Sequence, residues 1–151
     1  METKENLGRL VGIIYRHTRM YYNHELGKLG LGSGDHIFIL KLSEKEGITQ
    51  NEITGRLHFD KAHTARTIVK LMEQGYVIKK IDENDKRAYR LFLTQKGKEI
   101  IPQIKKIMKN WTETLMADLG ERDRDKLYKM LLKISDVAVT SVRCCSEINN
   151  T

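Results

Sequence analysis

Between positions 61 and 70 the chain reads KAHTARTIVK, and six of those side chains, Lys61, His63, Thr64, Arg66, Thr67 and Lys70, are cations or hydrogen-bonding groups. No carboxylate interrupts them; the flanking ones are Asp60 and Glu73. A helix that only faces water more often pairs Glu with Lys at four-residue spacing. Cations mixed with small donors and acceptors suit a surface that meets phosphates and base edges in the major groove of DNA. Further on, DENDKR (residues 82–87) puts five charges into six positions between two short apolar runs, YVIKKI and AYRLFL.

Elements that could position these groups follow from local signals. Asp60 can cap a helix whose buried side is Ala65, Ile68, Val69, Leu71 and Met72, with the six polar residues outward and Gly75 at its end. Before it, Thr49 and Glu52 form a capping-box pattern that starts another helix, Ile48 and Ile53 can add a staple, and Gly55 lets a second helix approach across a tight turn. Alternation in YVIKKI sets Val77, Lys79 and Ile81 against Ile78 and Lys80. In AYRLFL it sets Tyr89, Leu91 and Leu93 against Arg90 and Phe92. This is a β-hairpin with DENDKR at its tip, and two strands alone are marginal, so the hairpin must pack on the preceding helices as a wing.

Long helices flank this middle. Leu7, Leu10, Val11, Ile14, Thr18, Tyr21, Leu26 and Leu29 share one face of a helix of roughly 25 residues that stops in GKLGLGSG. Ser33 or Asp35 then caps a shorter helix carrying Ile37, Phe38, Leu40 and Leu42. Near the other end, Ile100, Ile104, Ile107, Trp111, Leu115 and Leu119 make a second long stripe, with Pro102 marking a kink and Gly120 closing it. Leu127, Leu131, Ile134, Ala138 and Cys145 form the last stripe. These stripes are longer than a middle of this size can cover, so a second copy of the chain is the economical partner. The division expected is an N-terminal dimerisation helix (1–32), a DNA-binding middle (33–98) and C-terminal dimerisation helices (99–151).

Charge agrees with that division. The net charge is +7, and the stretch from Arg56 to Lys98 holds eleven Lys/Arg against five Asp/Glu, leaving sixteen against fifteen elsewhere. A basic excess confined to one segment fits a polyanion-binding surface, because neutralising phosphates releases counterions. The start, METKENLGRLVG, lacks the layout of a signal peptide, and no run approaches the ~18 apolar residues of a membrane span. A cytoplasmic protein with no membrane partner is expected. The two cysteines, Cys144 and Cys145, are adjacent, which excludes a disulfide framework. Phosphate-binding and nucleophile-elbow motifs are absent, and the five histidines do not pair with carboxylates at metal-ligand spacing, so no enzyme, metal or cofactor is expected.

TQNEITGRLHFDKAHTARTIVKLMEQGYVIKKIDENDKRAYRLFLTQKG resembles the winged helix-turn-helix core of MarR-type (multiple antibiotic resistance regulator) transcription factors. The resemblance rests on DKA at the opening of the second helix, L-x-x-x-G-Y-V at its exit, the wing pattern of Asp82, Asp85 and Arg87, and the closing LTQKG. It implies a fold that is mainly α with a small β-hairpin wing, the winged core held between long terminal dimerisation helices. It implies a homodimer on double-stranded DNA at a pseudo-palindromic operator, usually as a repressor released by small phenolic or anionic effectors. Carried over by position, Lys61, His63, Thr64, Arg66, Thr67 and Lys70 would face the major groove. Lys86, Arg87 and Arg90 would contact DNA from the wing, with Arg87 in the minor groove and held by Asp82 or Asp85. His58 stands where the family often has glycine.

An aromatic carboxylate would want a cation beside apolar walls, and YRHTRMYY offers Arg16 and His17 with Met20. The alternative to a sequence-specific regulator is a winged-helix module binding protein or RNA within a transcription assembly. It would explain the basic middle without a recognition code or two-fold symmetry.

Overall fold

In a computed structural model of the protein, the backbone is described for residues 6–148 and the side chains for residues 6–142. The element order is α1 (Leu7–Gly27), α2 (Asp35–Glu44), β1 (Ile48–Thr49), α3 (Gln50–Leu57), α4 (Lys61–Glu73), β2 (Val77–Ile81), β3 (Tyr89–Leu93), α5 (Gln95–Glu99), α6 (Ile101–Leu115) and α7 (Glu121–Ile148). The chain divides into two compact units at Trp111/Thr112. The expectation for Cys144 and Cys145 falls outside the described side chains.

Helix starts obey the capping chemistry read in the sequence. Thr49 accepts the Glu52 backbone N–H at 3.2 Å while the Glu52 carboxylate accepts that of Thr49 at 2.7 Å, closing the capping box. Asp60 accepts the His63 N–H at 2.7 Å and starts α4. The start of α2 departs from expectation. Gly34 occupies the cap without a side-chain bond, and Asp35 is the first helical residue, its carboxylate turned back to accept the Gly32 N–H at 2.6 Å. The helix α1 stops at Gly27, the first residue of GKLGLGSG, so Leu29 lies beyond it, and Leu31 enters the core at 2% exposure. The last two helices break at Leu115 rather than at Gly120, and Pro102 falls in the first turn of α6, where its missing N–H costs nothing.

The sheet has three antiparallel strands in the order β1-β3-β2. The hairpin register is Val77 with Leu93, Lys79 with Leu91 and Ile81 with Tyr89, and β1 adds Ile48 opposite Leu91. Ile48 is therefore a strand residue as well as a neighbour of α3, a role a two-residue strand does not announce by alternation. Leu26, Phe38, Ile39, Leu42, Ile48, Ile53, Leu71 and Ile104 are fully buried and, with Leu91 and Val77, form one core beneath the helix-turn-helix and wing. Each such side chain contributes about 1.5–3 kcal/mol of burial, which is what fixes the angle between helices and sheet.

The wing's return strand is pinned where LTQKG begins. The Thr94 hydroxyl donates to the Gly75 carbonyl at 2.6 Å, and the Thr94 Oγ1 also accepts the Gly97 N–H at 3.0 Å, capping α5. Its own N–H reaches the Tyr76 carbonyl at 3.0 Å. A Cβ on Gly97 would lie 2.2 Å from the Tyr76 oxygen, so this close approach admits only glycine.

In the second unit, Glu121 and Asp123 in the first turn of α7 suit the positive end of its dipole. Arg124 donates to the Leu119 carbonyl at 2.9 Å, the Met116 carbonyl at 2.8 Å and the Glu113 carboxylate at 2.8 Å, satisfying carbonyls left over where α6 ends. Beyond that turn Tyr128, Met130, Leu131, Leu132, Ile134, Val137 and Val142 of α7 are exposed.

Candidate nucleic-acid interface

The phase of α4 decides which of its residues can reach a ligand. Thr64, Thr67, Ile68 and Leu71 are buried, a spacing of three, four and seven residues that sets the inner face one position earlier than the apolar letters suggest. This corrects the expected outward positions of Thr64 and Thr67 and the expected inward position of Val69, which is 54% exposed. Thr64 tolerates full burial because its hydroxyl donates to the Asp60 carbonyl at 3.1 Å, leaving its methyl to pack. His63 is half-buried, its ring 4.6 Å from Phe59, which in turn stacks on Phe38 at 5.6 Å. Lys61, Arg66 and Lys70 stay exposed, and Lys70 is paired with Asp35 at 2.5 Å.

The turn into α4 shows the same local economy. His58 adopts the left-handed conformation (φ 56°, ψ 31°), a region that favours glycine, so the turn keeps a glycine-like backbone with a histidine in it. The Asp60 carboxylate is held below its ordinary pKa mainly by the His63 N–H, so the cap stays charged at neutral pH.

At the wing tip the two aspartates have separate tasks, and neither is bonded to the Arg87 guanidinium. Asp82, 6% exposed, accepts the Asn84 N–H at 2.8 Å and the Asp85 N–H at 3.3 Å through one oxygen. Its other oxygen takes the Arg90 Nε–H at 2.5 Å, and Arg90 also donates to the Gly47 carbonyl at 2.7 Å. The Asn84 N–H, with Arg90 adding to it, holds the Asp82 carboxyl below its usual pKa. Asp85 accepts the backbone N–H of Arg87 at 3.0 Å, and its carbonyl accepts from Ala88 at 2.9 Å. The tip is thus tied by Asp82, Asp85 and Arg90, and the side chains of Lys86 and Arg87 are exposed.

Arg87 also lines an open cleft of about 330 Å³ with Lys79, Tyr89, Thr49, Gln50 and Asn51, between the wing and the first turn of α3. Lys79 sits over the Tyr89 ring at 4.8 Å. Gln50, Asn51 and Lys79 did not stand out in the sequence. The one available signal was their position, since Gln50 and Asn51 follow the Thr49 cap and Lys79 lies opposite Leu91 in the hairpin register.

The effector residues anticipated on α1 are only partly gathered. Arg16 and Met20 line a shallow depression with Arg19 and Asn23, whereas the His17 ring lies 2.8 Å from the Ile13 carbonyl of its own helix and takes no part.

Comparison with known proteins places this geometry. The sequence profile of the MarR family matches residues 37–89. The HTH-type transcriptional regulator YwoH of Bacillus subtilis (strain 168) is 30% identical over 114 residues, covering 74% of this chain and 82% of that protein. A MarR transcriptional regulator from Methanosarcina mazei Go1 is 36% identical, with 91% of this chain and 99% of that one superposed at a TM-score of 0.83. A MarR family regulator from Listeria monocytogenes, solved with 26mer DNA, is 26% identical and covers 91% of each chain, also at 0.83. With the capped α3–α4 pair, the three-stranded wing and these likenesses together, the chain belongs to the MarR family of DNA-binding transcriptional regulators.

Proposed function

We propose that the protein is a homodimeric repressor that grips a pseudo-palindromic operator, with α4 of each copy in a major groove and each wing tip in the adjacent minor groove. The observation that carries this is the division of labour at the wing, where Arg90 occupies Asp82 and leaves the Arg87 and Lys86 side chains to DNA. A weakly hydrated guanidinium is favoured in a narrow, electronegative minor groove. On α4, Lys61 and Arg66 are the exposed cations outside the Asp35 ion pair. That a MarR family relative from Listeria monocytogenes was solved with 26mer DNA supports DNA as the partner.

Dimerisation is supported by unpartnered apolar surface in each unit taken separately. Leu7, Leu10, Val11 and Ile14 on α1 are all more than 40% exposed. On α7, Tyr128, Met130, Leu131, Leu132, Ile134 and Val137 are exposed as well. At 100° per residue these six span about 220° of the helix circumference, wider than one two-helix seam covers. A small aromatic or phenolic anion loosening the grip is part of the proposal, with Arg16, Arg19 and Met20 the groups nearest to that chemistry.

Footprinting on the DNA upstream of the protein's own gene, with and without salicylate, tests this reading. A symmetric protected site that fades with salicylate is expected. Uniform, sequence-indifferent protection, or a monomer by light scattering at micromolar concentration, would overturn it.

A further inference from the structure

Three contacts tie the turn between α1 and α2 to the far end of α4. The Lys70 ammonium meets the Asp35 carboxylate at 2.5 Å, and the same Asp35 oxygen holds the Gly32 N–H at 2.6 Å. The Gln74 side chain donates to the Gly30 carbonyl, and the Tyr76 hydroxyl donates to the Leu29 carbonyl at 2.7 Å. All three reach across 35 to 47 residues of sequence onto the stretch from Leu29 to Asp35 that leads out of α1 and into α2.

The glycines of that turn are spaced to admit them. A Cβ on Gly32 would lie 3.3 Å from the Asp35 carboxylate and 3.4 Å from the Lys70 nitrogen, crowding the ion pair. Gly30 has φ +73° and presents its carbonyl to Gln74. The run GKLGLGSG therefore does more than end α1; it forms a socket for the exit of α4. Asp35 is only 8% exposed, so its pairing is not a loose surface contact.

We propose that Asp35, Lys70, Gln74 and Tyr76 are positioning residues that clamp the recognition helix to the end of α1, fixing the angle at which α4 is presented to DNA. This rests on α4 being the recognition helix. It removes Lys70 from the phosphate-contacting set and gives it an internal task. The direction of α1 is handed directly to α4, so half-site geometry depends on residues that touch no base.

The test is a double-mutant cycle of Asp35→Asn and Lys70→Met, with Tyr76→Phe as a milder third variant and Lys70→Arg as the conservative one. Two probes are used: a duplex enriched by the wild-type protein from a random-sequence pool, and a scrambled duplex of equal length. A clamp predicts that each single change weakens the enriched duplex about tenfold or more while the scrambled one shifts by less than about twofold. It also predicts that the double variant is no worse than either single one, that Lys70→Arg restores discrimination, and that the salt slope is unchanged. In DNA-free protein, backbone amides of Val69–Glu73 should exchange faster than those of α3 in the Asp35→Asn and Tyr76→Phe variants. Additive losses, or a salt slope lower by about 1 in Lys70→Met alone, would assign Lys70 to a phosphate and overturn the clamp. Should the wild type enrich no sequence, the DNA-reading proposal itself falls, while unchanged amide exchange in the variants would still dismiss the clamp independently.

Discussion

The Asp82 carboxylate and the Arg90 guanidinium close an ion pair at 2.5 Å across the base of the wing tip, with Asp82 6% exposed. Arg87, three residues earlier, is bonded to Asp85 only through its backbone N–H. The two arginines therefore fail differently when removed. Arg87→Ala is expected to weaken operator binding by about 1–3 kcal/mol with unchanged thermal stability. Arg90→Ala should lower binding together with protection of the tip amides in hydrogen exchange. Equal exchange in both variants would contradict the division of roles.

Thr64 is fully buried and its hydroxyl is satisfied within α4. Thr64→Val should cost no more than about 0.5–1.5 kcal/mol in denaturant unfolding, the net worth of one hydrogen bond, and leave operator affinity and sequence preference intact. A change in preferred operator would mean that α4 rotates on binding.

Gly97→Ala places a methyl carbon 2.2 Å from the Tyr76 carbonyl, which neither backbone can yield without moving the wing. A loss of about 1–3 kcal/mol or more is expected in urea unfolding. Gly120→Ala, with open space around it, is the control and should change stability far less.

Stability should depend on pH through His36. Its ring is 2% exposed and packs edge-on to Tyr22 at 4.9 Å. Burial pushes its pKa below 6.5 against the opposing pulls of Asp35 and the Ser33 backbone. As pH falls through about 6.5 the unfolded chain takes up a proton before the folded chain does, so stability is full above that value and declines below it. Thermal midpoints at pH 7.5 and 5.5 should differ, and His36→Gln should narrow the gap. An unchanged gap would assign the loss to other groups.

Operator affinity should fall steeply with salt, and Lys86→Ala should lower the slope of log K against log salt by about 1. A flat dependence would remove the phosphate-anchored mode.

Much of the interface was legible because its signals are local. The Thr49/Glu52 capping box, the Asp60 cap and the strands Val77–Ile81 and Tyr89–Leu93 involve neighbours within a few positions and formed as expected, although alternating burial appears in Tyr89–Leu93 and not in Val77–Ile81, where Ile81 is exposed. Thr64 and Thr67 were misplaced because a threonine carries both a hydroxyl and a methyl, and the i−4 carbonyl that satisfies Thr64 is invisible in a polarity pattern. The partner of Asp82 was undecidable because several cations flank the tip and register alone does not say which guanidinium turns inward. Asp35 and Lys70 are 35 residues apart, and no local rule joins them.

Sheet order has one more consequence. Because β3 is the middle strand, β2 presents an open edge on which Lys79 and Lys80 lie over the rings of Tyr89 and Phe92. An open edge is a template for pairing with another chain's strand, and lysines on it are a common deterrent. Lys79 and Lys80 thus guard the wing against self-association, so variants stripped of wing cations to study DNA binding should be checked first for aggregation.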